Sequence, residues 1–201
     1  LSNQLCLCGI AVAEQYGGAG FGPQELAIAC EEMGRALYCG PYLASAVCAA
    51  YALSQTADDD HKQRWLPEIA SGGLIACLAV TEHAPMWSED DVQTVASSSP
   101  DGGHVLNGQK RFVIDAQVAG LILVAARNGE NQIGLYAVEA NARGLTRKAM
   151  PSMDPTRKLN QLILAATPAE HLGPVDLQDL MDYTLVALAN EMIGGAQTLL
   201  Q

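Results

Sequence analysis

The residues best suited to binding or chemistry fall in two short runs. The first is Thr81-Glu82-His83-Ala84-Pro85-Met86-Trp87-Ser88, followed by the acids Glu89-Asp90-Asp91. The second is Lys110-Arg111-Phe112-Val113-Ile114. Hydroxyls such as those of Thr81 and Ser88 can hydrogen-bond a polar ligand, whereas Ile114 has no side-chain donor. Other chemistries find little support. His61, His83, His104 and His171 lack metal-ligand spacing, and neither a serine-hydrolase elbow nor a P-loop is present. Gly17-Gly18-Ala19-Gly20 reads as a structural turn, because no phosphate-loop features follow it. Cys6-Leu7-Cys8 has no second pair to complete a zinc site. The six cysteines, none later than Cys77, are expected to be buried free thiols in a reducing compartment.

Three stretches of different periodicity must position these runs. Residues 1–73 read as a helical domain. Gly22-Pro23 opens a helix with proline near its first turn, and Leu26, Cys30, Met33 and Leu37 repeat at helical spacing until Gly40-Pro41. Residues 42–53 are apolar on nearly every face, as in a fully buried helix. Asp58, Asp59 and Asp60 then offer N-caps for a short helix, with Pro67 and Ser71-Gly72-Gly73 at its exit.

Residues 74–174 change to short β-like runs at 75–81, 92–98, 104–106, 111–114, 121–126, 133–139 and 161–166, which suits a small barrel. Pro100-Asp101-Gly102-Gly103 and Asn128-Gly129 mark turns, and Asn107-Gly108 predicts a tight hairpin. Helical periodicity returns over residues 175–201, with Leu177, Leu180, Met181, Leu185, Leu188, Met192 and Leu199 on one face. No stop signal follows that pattern, so a longer helical region is expected to continue it. The chain also starts at Leu1 rather than methionine, so preceding sequence is expected. The fold expected is α+β multidomain: an N-terminal helical domain, a middle β-barrel and the start of a C-terminal helical bundle.

A net charge of -11 argues against nucleic acid or an anionic membrane as the main partner. It leaves room for a polyanion held by a few local donors. With no apolar stretch of membrane-spanning length, the expected location is cytoplasmic.

Several landmarks, in this order, resemble the acyl-CoA dehydrogenase family: Glu14-Gln15-Tyr16-Gly17-Gly18-Ala19-Gly20, Glu31-Glu32-Met33-Gly34, Lys62-Gln63-Arg64-Trp65-Leu66-Pro67, Ala79-Val80-Thr81-Glu82, Asn107-Gly108-Gln109-Lys110 and Gly194-Gly195-Ala196. Met153-Asp154-Pro155-Thr156-Arg157 and 189–196 further resemble a bacterial branch acting on sterol and other bulky acyl-CoA thioesters, often as assemblies of two unlike subunits. The resemblance implies FAD between the barrel and the bundle. The reaction would take a proton from the α carbon and pass a hydride from the β carbon to flavin N5, with an electron-transfer flavoprotein or similar acceptor reoxidising the cofactor. It further implies homo- or hetero-oligomers. The family's base is a glutamate in the C-terminal domain, which this chain is expected not to reach, so no catalytic residue is assigned and the chain alone is expected to be inactive.

By the same resemblance, Leu78, Val80, Thr81, Ser88, Phe112 and Ile114 are the cofactor-binding candidates. Leu78 and Val80 would act through their backbones, Thr81 and Ser88 through hydroxyls, and Phe112 by packing on the flavin ring. Three departures bear on this. The family's glycine before the serine is missing, Ser88 lies one residue late, and the acids after it are unfavourable near a pyrophosphate unless they face solvent. Ile114 replaces a threonine that would hydrogen-bond flavin N5. Leu185 stands where many members carry an arginine near the substrate. Two functions therefore stay open: an FAD-dependent acyl-CoA dehydrogenase, or a non-catalytic partner subunit with a degenerate flavin site. Either way, the apolar faces of 42–53 and 177–200 are expected to lack partners.

Overall fold

The computed structural model describes residues 6–83, 89–99 and 102–200. Two short 3-10 turns, Leu7–Gly9 and Glu14–Tyr16, precede helix α1 (Pro23–Arg35). The backbone N–H of Gly22 donates to Glu25 Oε2 at 3.0 Å, and Pro23 occupies the first turn, where no N–H is needed. α1 stops earlier than its periodicity suggests. Leu37 turns left-handed (φ 46) and lies 70% exposed, so it leaves the apolar stripe that Leu26, Cys30 and Met33 bury.

A π-helical stretch, Leu43–Ala49, runs into α2 (Ala50–Thr56). All seven residues of the π-helical stretch are buried, so residues 42–53 already have partners, contrary to the expectation of an uncovered face. α3 (Asp59–Ser71) is capped by Asp58, whose carboxylate accepts the His61 N–H at 2.9 Å. Pro67 lies inside α3 rather than ending it, and the helix closes at Gly72.

Among the described residues seven strands follow: β1 (Ala76–Ala79), β2 (Val95–Ser98), β3 (His104–Ile114), β4 (Leu121–Arg127), β5 (Ile133–Glu139), β6 (Leu145–Ala149) and β7 (Leu159–Pro174). β4 pairs with β5, β5 with β7, β7 with β3 and β3 with β2, and β2 returns to β4 through Val95 and Arg127. The sheet thus closes on itself as a barrel, with β1 parallel to β4 and β6 flanking β7. β1 and β4 are apolar on both faces, as befits a wall between two cores. Ala76, Leu78, Leu121, Leu123 and Ala125 join the core shared with the helices, whereas Cys77, Ala79, Ile122, Val124 and Ala126 fill the barrel. Ser45 pins the helical layer to this wall by accepting the Ala76 N–H at 3.0 Å.

Two sequence expectations fail here for non-local reasons. Asn107-Gly108 is no hairpin: β3 runs straight through it, with a register shift against β7. Gly108 is needed because its φ is 152 and a Cβ there would lie 2.6 Å from Thr94 Oγ1. Nor are all the cysteines buried. Cys30, Cys48 and Cys77 are, Cys8 is half-buried, and Cys6 and Cys39 are exposed.

The chain ends its described part with α4 (Leu177–Leu199), capped by Asp176, which accepts the Asp179 N–H at 3.0 Å. Its buried stripe is Leu177, Leu180, Thr184, Ala187 and Gly194, so only the first two leucines of the expected apolar face are buried. Leu185, Met192 and Leu199 are exposed. α4 lies against α1 through glycines, and a Cβ on Gly194 would sit 1.9 Å from Glu31 O. Among the described residues no helix is long and apolar enough to cross a membrane.

Candidate functional site

One β-bulge explains how two distant runs reach the same place. Lys110 pairs with Leu162 on β7 and Val113 with Asn160, so Arg111 and Phe112 together oppose one residue. Phe112 takes φ 56, an uncommon conformation for a bulky side chain. Freed from β7, the Arg111 N–H donates instead to Thr81 O at 2.8 Å, just beyond β1. The bulge thereby turns Arg111 and Phe112 towards Leu78, Val80 and Thr81.

A buried ion pair fixes the same junction. Lys110 Nζ lies 2.7 Å from Glu82 Oε1 and donates to Val80 O at 3.0 Å. Glu82 also accepts the N–H groups of Gln93 at 3.0 Å and Thr94 at 2.9 Å. Burial pushes the Lys110 ammonium down to about 8, against the raising effect of Glu82. Burial alone would raise the Glu82 carboxyl, but the Lys110 charge and the donated hydrogen bonds outweigh it and hold the group below its ordinary value. The pair is thus a clamp between the end of β1 and the middle of β3.

Above the clamp opens a cleft of about 370 Å³, within the roughly 300–1,000 Å³ typical of small-molecule pockets. Leu78, Val80 and Thr81 line it from the first run, and Arg111, Phe112 and Ile114 from the second. α4 contributes Met181, Thr184, Leu185 and Leu188, and the π-helical stretch contributes Ala44 and Cys48. Phe112 is 39% exposed, presenting its ring to the opening. Cys48 Sγ lies 3.4 Å from Thr184 Oγ1, whose hydroxyl donates to Leu180 O at 2.8 Å. Burial pushes the Cys48 thiol up to about 11, which keeps it protonated and unreactive near neutrality. No aspartate, glutamate or histidine is among the described residues lining the cleft.

The structure therefore brings together Leu78, Val80, Thr81, Phe112 and Ile114, as the sequence reading grouped them. Ser88 lies outside the described residues, as do Met86, Trp87 and the Pro100-Asp101 turn. The acids that follow Ser88 form a 3-10 turn, Glu89–Asp91, in which Glu89 and Asp90 are exposed to solvent. Arg127 holds that turn by donating to Val92 O at 2.7 Å and to Glu89 O. Leu185 lines the cleft where the expected arginine is missing. Sequence reasoning overlooked Arg111, Cys48 and Thr184. Arg111 could have been noticed as a cation inside the second run. Thr184 could have been noticed as a polar residue four positions from Leu180 and Leu188.

The fold is an N-terminal helical layer, a closed barrel and a following helix, with an apolar cleft where the last two meet. Residues 3–73 match the family model "Acyl-CoA dehydrogenase, N-terminal domain". The acyl-CoA dehydrogenase FadE12 of Mycobacterium tuberculosis is 30% identical over 157 residues, which cover 72% of this chain and 39% of that protein. The structure of a steroid ACAD, Tcur3481-Tcur3483, is 29% identical, with a TM-score of 0.83 over 96% of this chain and 52% of that one. An acyl-CoA dehydrogenase complexed with FAD from Bacillus anthracis shares the fold at 24% identity, with a TM-score of 0.86 over 96% of this chain and 35% of that one. The chain belongs to the acyl-CoA dehydrogenase family. It spans about two fifths of the length of the curated relatives it matches.

Proposed function

We propose that this chain supplies the flavin-facing wall of an FAD-dependent acyl-CoA dehydrogenase acting on an acyl-CoA thioester. The observation that carries the reading is the single cleft shared by Leu78, Val80, Thr81, Phe112, Ile114 and α4. Its chemistry fits a flavin ring: an aromatic and aliphatic lining, with a few polar groups at Thr81, Arg111 and Thr184. The residues also suit the division into 1–73, 74–174 and 175–201, because the cleft lies where the second and third of these meet.

In this reading the cofactor's contribution is acceptance of the β-carbon hydride. The protein's own residues do the rest. Leu78, Val80 and Phe112 exclude water and give the ring an apolar face. Thr81 offers a hydroxyl that orients the ring's polar edge, and Ser88 would be a further donor. Ile114 contributes packing alone, which leaves any hydrogen bond at N5 to the backbone or to the substrate. Proton abstraction requires a base from outside the described cleft residues, in keeping with a glutamate from a C-terminal domain. FAD bound in the relative from Bacillus anthracis supports the cofactor, and the Tcur3481-Tcur3483 steroid ACAD supports an oligomer of like or unlike subunits. A soluble cytoplasmic enzyme delivering electrons to an electron-transfer flavoprotein completes the reading.

The test is the visible spectrum of the purified protein. Flavin absorbance near one FAD per chain is the expected result. A colourless protein that takes up no added FAD, and that supports activity only beside a sister chain, would overturn it in favour of a non-catalytic partner subunit.

A further inference from the structure

The cleft is apolar apart from a few groups, and Arg111 is the cation that lines it. Five of the chain's seven arginines are engaged with protein acceptors. Arg35, Arg64, Arg127, Arg147 and Arg157 each donate from the guanidinium to a carboxylate or a carbonyl. Among the described residues, none accepts a hydrogen bond or forms an ion pair with the guanidinium of Arg111, although the chain carries 22 acids against 11 basic residues. Its contact is instead with Phe112, whose ring centroid is 5.2 Å from the guanidinium carbon. The backbone around it is committed: the Arg111 N–H is held by Thr81 O, and Phe112 keeps a left-handed conformation at the bulge. The bulge therefore fixes the backbone that carries a fork of donors, which no described residue of the cleft accepts from. A guanidinium stacked on an aromatic ring, beside an apolar wall, is suited to a planar or phosphate-bearing anion.

We infer that Arg111 is an anion-binding residue of this cleft, taking a negative charge carried by the bound flavin. The inference rests on the flavin reading and adds to it the residue that recognises charge. Two parts of FAD could supply that charge: the diphosphate, or the ring once it has taken up a hydride. The shared chemistry is an oxyanion or delocalised anion meeting a fixed guanidinium.

The experiment compares the wild type with Arg111→Met, which keeps the length of the side chain, and with Arg111→Lys, which keeps its charge. FAD and riboflavin are titrated by flavin fluorescence, and the reduction potential of each bound flavin is measured. A loss of at least ten-fold in FAD affinity for Arg111→Met, with riboflavin changed less than two-fold, assigns the charge to the diphosphate. Unchanged oxidised-flavin affinity with a more negative potential assigns it to the reduced ring. In both cases Arg111→Lys should recover part of the effect. Equal weakening of FAD and riboflavin with no change in potential, or no change at all, would overturn the inference. A wild type that binds neither flavin would sink the flavin reading itself, a distinct result. Matching urea midpoints for the three proteins exclude misfolding as the cause.

Discussion

The ammonium of Lys110 lies 2.7 Å from the carboxylate of Glu82, with both side chains buried. Twenty-eight residues apart in sequence, they join the end of β1 to the bulged strand that brings Arg111 and Phe112 to the cleft. Glu82 also holds Gln93 and Thr94, so one carboxylate ties three segments together. Removing either partner should leave an uncompensated buried charge. Glu82→Gln and Lys110→Met should each cost about 3–5 kcal/mol in urea unfolding. The double variant should cost clearly less than the sum. Additive losses would show that the pair is not coupled.

The same pair sets a pH dependence with a definite sign. In the folded chain Lys110 loses its proton near 8, against an ordinary value of 10.5. Between those values the unfolded chain holds a proton that the folded chain lacks, so this contribution makes the protein more stable as pH rises. Glu82 acts at the other end: its stabilisation is present above the ordinary carboxylate value and is lost as pH falls through its lower folded value. Unfolding free energies from pH 7 to 10.5, compared with the Glu82→Gln/Lys110→Met double variant, isolate the lysine. The difference should shift in favour of the wild type above pH 8. A flat difference would contradict the burial argument.

Thiol reactivity should follow burial. The exposed thiols of Cys6 and Cys39 should be alkylated first by iodoacetamide at pH 8. Burial raises Cys30 to about 12 and Cys48 to about 11 and also raises Cys77, so these three should react only on unfolding. Mass spectrometry of partly labelled protein gives the order. Early labelling of Cys48 would mean that the cleft floor is open.

The contact between α1 and α4 depends on the absence of side chains. A Cβ on Gly194 would sit 1.9 Å from Glu31 O, on backbone that cannot swing away. Gly194→Ala should therefore destabilise the chain by about 1–3 kcal/mol despite alanine's better helix propensity. Gln197 and Thr198, which reach Glu31 and Arg35 O across the same contact, should lose their hydrogen bonds as the helices part. A stabilised variant, read by thermal unfolding, would refute the close packing.

Much of the framework was legible because it is local. Pro23, Asp58 and Asp176 announce helix starts through their own side chains, and β4 and β5 announce themselves through apolar runs of strand length. The misreadings have physical causes further away. Gly108 looks like a turn residue, but its requirement comes from Thr94 on the preceding segment. β6 carries Thr146-Arg147-Lys148 and is exposed along most of its length, because it only flanks β7, so no apolar alternation betrays it. On α4 the leucine-methionine face is buried only at Leu177 and Leu180, and the rest of the packing comes from the small residues Thr184, Ala187 and Gly194, which apolar periodicity does not mark. The resemblance pointed to Leu78, Val80, Thr81, Phe112 and Ile114, which line one cleft, whereas the Glu82–Lys110 clamp depends on a pairing 28 residues apart that no local pattern marks.

Flavin bound in the cleft between the barrel and α4 would lie beside Leu185. Leu185 is 52% exposed and lines that cleft, so Leu185→Trp places an indole there with little cost to folding. FAD titrated into this variant should quench the added fluorescence beyond the change seen in the wild type, saturating near one FAD per chain. FAD that binds without extra quenching, or fails to bind at all, would mean that flavin does not occupy this cleft.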